Sequence, residues 1–144
     1  MTRGTMGRGW TDVLSDVPLF SGLSKRHLNK IAEVAGSRRF PRYTTIVRAG
    51  ERGDKFFVIL DGTVLVKPPG KRAVRLAAGD SFGEMALLDD APRSATVEAQ
   101  DEVFVMLFGR SEFGKMLARE PKIAIALLRT LAQRLRAVES SPSH

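Results

Sequence analysis

Between Arg38 and Phe108, short apolar runs are broken by turn signals every few residues, which restricts this stretch to a fold of short antiparallel strands. Asp61-Gly62, set between two alternating apolar runs, predicts a tight hairpin turn. Pro68-Pro69-Gly70 and Ala78-Gly79-Asp80 mark further reversals. Strands this short bury their apolar faces only by wrapping onto one another, so a sandwich or roll is expected.

The flanks read as helices. Trp10, Val13 and Leu14 recur at near-helical spacing, and Val17-Pro18-Leu19-Phe20 reads as a turn. Ser24 is the expected N-cap of a helix that carries Leu28, Ile31, Ala32 and Ala35 on one face and stops at Gly36. Past the strands, Ser111 is expected to cap a short helix ending near Leu117. Pro121 stands where the first turn of a last helix tolerates it. That helix, about 121–138, places Leu128, Leu131, Leu135 and Val138 at 3-4-3 spacing. Such a stripe suits a homodimer seam and equally suits packing on the chain's own sheet; Ala124 and Leu127 widen it toward the second use.

The expected organisation is a flexible lead over 1–9, one domain over 10–139 and a tail over 140–144. Within the domain, helices fill 10–37 and 110–139 and a roll fills 38–109. The fold class is therefore mainly β with flanking helices (α+β). A chain of 144 residues with 43% apolar content fits one domain with a real core. The absence of cysteine excludes disulfides, thiol catalysis and thiolate metal sites. No apolar run approaches the roughly 18 residues of a membrane span, and MTRGTMGRGW has no apolar segment behind its arginines. A cytoplasmic protein without a membrane partner is expected. The net charge of +7 invites a nucleic-acid reading, yet the basic residues are spread along the chain with no dense run. A solvated basic surface is expected, with DNA not among the partners.

Chemistry concentrates in FGEMALLDDAPRSATV, Phe82 to Val97. Gly83 lets the backbone approach a ligand, and Met85-Ala86-Leu87-Leu88 can form one helical turn whose leading amides favour an anion. Arg93 follows Pro92 and precedes strand-like Ser94-Ala95-Thr96-Val97; its planar fork of donors matches two phosphate oxygens at once. From Asp80 to Glu102 the acids Asp80, Glu84, Asp89, Asp90, Glu98, Asp101 and Glu102 surround this lone arginine. Arg93 can thus be a phosphate ligand or the salt-bridge partner of these carboxylates, and the neighbouring Gly-Glu, Pro and Ser-Ala-Thr favour the ligand.

FGEMALL, a spacer and PRSATV resemble the phosphate-binding cassette of the cyclic nucleotide-binding domain family, which includes catabolite-activator regulators, kinase regulatory subunits and gated channels. IVRAGERGDKFFVILDGTVLV, Ile46 to Val66, resembles the family's roll strands, and the likeness covers most of 15–139. The resemblance implies an antiparallel β-roll (jelly-roll) with a cassette at 82–97 and a C-terminal lid helix. It implies that Arg93 holds a cyclic phosphate, helped by the Ser94 hydroxyl and the amides of Ala86 and Ala95. Glu84 would accept from the ribose 2′-hydroxyl, with Gly83 and Met85 beside the sugar, and Val64, Val66 and Val74 would form an apolar wall for the purine. The ligand implied is cAMP in preference to cGMP, although Ser94 is compatible with both and does not choose between them. The family's regulators also contact the base from late in the last helix; those places fall near Val138 and Glu139, and neither matches. Arg134 or Arg136 would stack over the purine or face solvent. Closure of the last helix would then report occupancy to a protein effector or to a second copy.

Other classes fit less well. A metal-dependent enzyme on a similar roll needs clustered histidines and carboxylates, and His27 and His144 both lie outside the strand region. No nucleophile motif appears, so neither a catalytic nor a metal site is expected. The alternative is a signalling or transcription-regulator-like roll tuned to another anion or to none. A helix-turn-helix after the last helix is not expected.

Overall fold

The computed structural model describes residues 9–139; most of the expected lead, 1–8, and the expected tail, 140–144, lie outside the described residues. Two short helical pieces come first, α1 (Trp10–Leu14) and a 3-10 turn (Pro18–Phe20), then α2 (Lys25–Glu33). Strands β1 (Gly36–Phe40), β2 (Thr45–Val47), β3 (Lys55–Asp61), β4 (Val64–Lys67), β5 (Val74–Leu76) and β6 (Ser81–Phe82) follow. A second 3-10 turn (Glu84–Leu87) leads to β7 (Thr96–Ala99) and β8 (Val103–Gly109), and α3 (Arg110–Arg119) and α4 (Pro121–Glu139) close the order. The strands form two four-stranded antiparallel sheets, β1-β8-β3-β6 and β2-β7-β4-β5. This is the expected β-roll with flanking helices.

Strand β3 explains the layering. Its continuous apolar run is buried on both faces, as a strand between two apolar layers must be. Phe56, Val58 and Leu60 face the helices and join Phe20, Ile31, Phe113, Ile123 and Leu127 in one core. Phe57 and Ile59 point the other way, meeting Val64, Val97, Val103 and Val105 between the sheets. Phe20 is the hub of the helical layer, with its ring 6.0 Å from Phe56 and 6.2 Å from both Phe108 and Phe113.

Several local expectations hold. The Ser24 side chain accepts from the His27 amide at 3.2 Å, capping α2, and Pro121 is the first residue of α4. Pro68 to Lys71 is a turn closed at 3.2 Å with Gly70 at φ +71°, joining the hairpin β4–β5.

Others need correction. Asp61-Gly62 is not a hairpin turn, because β3 and β4 belong to different sheets. It is a corner, and the β7–β8 connection crosses between the same sheets beside it: the Thr63 amide donates to Asp101 Oδ1 at 2.8 Å. A Cβ on Gly62 would lie 2.4 Å from the Glu102 carbonyl, so close passage sets the glycine there as much as its φ of +93°. Gly36 does not stop α2; the helix ends at Glu33 and Gly36 opens β1. Ser111 makes no cap, since α3 already starts at Arg110 and runs to Arg119.

The expected stripe on α4 divides. Ile123, Leu127 and Thr130 are buried and Leu131 packs against the core, whereas Leu128, Leu135 and Val138 are exposed, as is Ile125. The helix thus packs on its own domain through one face and leaves an apolar line on the other.

Candidate functional site

The segment around Arg93 is bound to a loop far away in sequence. The Arg93 amide donates to the Glu51 carbonyl and the Gly50 amide to the Arg93 carbonyl, both at 2.8 Å. Its side chain is held at 2.8 Å by Nη2 donation to the Lys55 carbonyl. Two glycines form the slot around it: a Cβ on Gly53 would sit 2.7 Å from Nη2, and one on Gly83 would sit 2.5 Å from Nη1. Gly83 also takes φ +81°, a left-handed conformation that other residues rarely adopt.

The charges around Arg93 pair with each other instead of with it. Asp90 takes Arg52 and Arg110 at 3.5 and 3.6 Å, Glu84 takes Arg134 at 3.1 Å, and Glu98 takes Lys67 at 2.7 Å. Among the described residues no carboxylate lies within ion-pair distance of Arg93. Burial lowers its pKa; the Asp54 charge opposes that and Arg110 adds to it. A half-buried guanidinium with no carboxylate in ion-pair contact, acted on by Asp54 only through its charge, can receive an anion. The salt-bridge reading of Arg93 is therefore not what the fold realises.

Glu84 opens the 3-10 turn that follows Gly83. Arg134 of α4 donates to its Oε1, while Oε2 is buried with no hydrogen-bond partner. The two groups meet in a cavity of about 360 Å³ lined by Gly83, Glu84, Met85, Ala86, Arg93 and Ser94 together with Asp89, Ala91 and Pro92. Met85 is exposed at its edge. Ser94 is exposed, with its hydroxyl bonded to nothing among the described residues. The Ala86 amide, expected as an open donor, instead donates to the Gly83 carbonyl at 3.0 Å, because the tight 3-10 turn commits it.

A smaller recess behind Arg93 is lined by Val47, Val66, Phe82, Gly83, Arg93, Ser94, Ala95 and Val97. Of the three expected wall valines, Val66 is there. Val64 is fully buried between the sheets, and Val74, paired with Val66 on the outer strand, is half exposed. Alternation along β4 turns positions 64 and 66 to the same face, but 64 lies deeper, opposite Ala99. Val47, Phe82 and Val97 supply the apolar surface that those two do not.

Sequence reading misses Gly53, Arg110 and the pairing of Arg134. Arg110 donates from Nε to the Ala86 carbonyl at 2.8 Å and from Nη2 to the Gly53 carbonyl at 3.1 Å, tying the cassette to the Arg93 slot. Nothing local marks it, since these partners lie 24 and 57 residues away. Arg134, expected over the base or in solvent, is placed by the structure on Glu84.

An antiparallel roll with an anion-ready arginine, an open carboxylate oxygen and an apolar recess defines a binding domain for a small ligand with phosphate and hydroxyl groups. Among the described residues no group of three His, Cys, Asp or Glu could hold a metal ion, and no helix is long and apolar enough to cross a membrane. The family profile of the cyclic nucleotide-binding domain matches residues 37–120, and the chain belongs to that family. Among curated relatives, a cAMP-dependent protein kinase regulatory subunit of Debaryomyces hansenii is 40% identical over 109 residues, 75% of this chain and 24% of that protein. The N-terminal domain of a transcriptional regulator from Streptomyces coelicolor superposes with a TM-score of 0.79 at 29% identity, covering 92% of this chain and all of that one. A cAMP-bound PfPKA-R structure superposes at 0.66 with 28% identity, covering 93% of this chain and 48% of that one. The chain spans between 24% and 38% of the first curated relatives' length. The family is a ligand-binding regulatory domain, not a catalytic one.

Proposed function

We propose that residues 10–139 act as one sensor domain for a cyclic nucleotide, cAMP in preference to cGMP, and relay its occupancy through α4. The observation that carries this reading is Arg93, fixed between Gly53 and Gly83 with no carboxylate in ion-pair contact while the surrounding acids pair elsewhere. A cyclic phosphate has one negative charge, so one arginine with hydroxyl and amide donors suffices, and no metal is called for. Arg93 takes the phosphate with Ser94 and the Ala95 amide beside it. Glu84 Oε2 accepts from the ribose 2′-hydroxyl, flanked by Gly83 and Met85. Val66, Val47 and Val97 lie under the purine. Adenine is favoured by the cAMP-bound neighbour and by the kinase regulatory subunit among the relatives.

Arg134 links the sugar site to α4. A ligand shifts that helix only by its differential affinity for two positions of it. The outer face of α4 then meets an effector protein or a second copy. Calorimetric titration with cAMP and cGMP tests the reading. The expected result is one site with cAMP tighter, and at least a hundredfold loss in Arg93→Ala, about 3 kcal/mol, with circular dichroism unchanged. A folded wild-type chain that binds neither nucleotide removes the reading.

A further inference from the structure

The exposed face of α4 carries a second pattern. With Ile125 placed at position a of a heptad, Leu128, Ala132 and Leu135 continue the a and d series. Ile125, Leu128 and Leu135 are 48%, 64% and 59% exposed. Lys122, Arg129 and Arg136 occupy successive e positions along one flank, a line of about 21 Å at helical rise. At its start lies a cavity of about 390 Å³ between the beginning of α2 and α4, lined by Ser24, His27, Lys122, Ile125 and Arg129 among others and by no acidic residue. Neither Lys122 nor Arg129 has an ion-pair partner among the described residues. The opposite face of the helix is already in use, through Ile123, Leu127 and Arg134.

We propose that this face docks an acidic amphipathic helix of a partner protein. Such docking is independent of nucleotide binding, and a second copy of the chain is the other occupant α4 could take. Charge makes the choice. A second copy laid antiparallel would set the e-position cations against each other, and one laid parallel would set them against Ala124, Leu131 and Val138, which carry no charge. The acidic complement within α4 is Glu139 alone. A partner helix with apolar a and d residues and glutamates on its flank covers the apolar line and neutralises Lys122 and Arg129 together. One of its carboxylates enters the cavity between Lys122 and Arg129.

The test uses a fluorescein-labelled 19-residue peptide with leucine at a and d and glutamate at the flanking positions, beside a lysine counterpart of the same pattern; 19 residues match the length of α4. Anisotropy is followed at low and high salt with the whole chain. The acidic peptide is expected to bind and to weaken with salt, and the lysine peptide is expected not to bind. The double variant Lys122→Glu/Arg129→Glu should lose at least tenfold in affinity, as should Leu128→Ser, while both keep the wild-type melting curve and cAMP titration. Equal binding by the charge-reversed variant overturns the proposal, as does no binding of the acidic peptide up to about 1 mM. Sedimentation of a wild-type dimer that Leu128→Ser dissociates also overturns it, assigning the face to a second copy. Nucleotide titration is read separately, so loss of peptide binding with cAMP binding intact leaves the sensor reading untouched.

Discussion

Arg134 donates to one oxygen of the Glu84 carboxylate at 3.1 Å, while the other oxygen is buried without a partner. The carboxylate is thereby divided between the last helix and the site. Glu84 sits at the start of a turn that also carries Met85 and Ala86 into the cavity. Whatever seats on the open oxygen acts on a group that α4 already holds.

Arg134→Ala is expected to weaken cAMP binding by about three- to tenfold, the effect of one ordinary hydrogen bond, because the Arg134–Glu84 pair is exposed to solvent. Arg134→Gln, which keeps a donor, should recover part of it. Hydrogen exchange of α4 amides should respond less to nucleotide in Arg134→Ala than in wild type. Tighter binding by Arg134→Ala would mean that the arginine competes with the ligand.

Gly53→Ala isolates the slot. The added methyl would meet Arg93 Nη2 at 2.7 Å, and Gly53 has no positive φ to confound the result. Displacing the far end of an arginine costs the fold little, so melting should fall by only a few degrees while cAMP affinity drops at least tenfold, about 1.4 kcal/mol. Gly83→Ala adds backbone strain at φ +81° and should lower both. Unchanged affinity in Gly53→Ala would show that Arg93 needs no fixed position.

The roll and the cassette were legible because their signals are local. Turn residues punctuate the strands, and Gly83, Glu84, Arg93 and Ser94 fall within one short window that the fold gathers around one cavity. The Asp61-Gly62 corner was not legible, since the same dipeptide serves a hairpin or a crossing between sheets, and only the distant Asp101 and Glu102 decide. Arg110, Gly53 and the partner of Arg134 escaped for the same reason: their contacts span 24 to 57 residues. Val64 and Val74 share the alternation of Val66, and strand period alone does not tell depth within a sheet.

Gly114 lies inside α3, where an added methyl would meet open space, and its φ is not positive. Gly114→Ala should therefore stabilise the chain by about 0.5–1 kcal/mol through helix propensity. Thermal melting should rise by about 2–4 °C, with cAMP titration unchanged. A fall in melting temperature would mean that the glycine serves some unrecognised close approach.

Arg110→Ala removes both donors from the Ala86 and Gly53 carbonyls and one charge from beside Asp90. Part-buried carbonyls left without donors cost about 1–3 kcal/mol. The variant should melt lower and bind cAMP more weakly, because Ala86 and Gly53 border the two sides of the Arg93 site. Arg110→Lys offers one ammonium where two carbonyls need a fork, so it should not restore either quantity. Full recovery by lysine would reduce the role of Arg110 to charge.

Asp54 links acid stability to the same region. Its carboxyl is held below the ordinary value of 3.8, chiefly by the hydrogen bond from Lys55, with the Lys55 and Arg110 charges adding and burial opposing. A folded-state value below the unfolded one means that the contribution is present in full above about pH 4–5 and lost as pH falls through the folded value. Asp54→Asn should lower urea stability by a constant amount between about pH 5 and 8, and that difference should shrink toward zero below about pH 4. The same substitution removes a negative charge near Arg93, which stays protonated at neutral pH either way, so cAMP binding at neutral pH should tighten slightly while its dependence on Arg93 stays. A stability difference that grows on acidification would reverse the sign and show that Asp54 is held protonated in the fold.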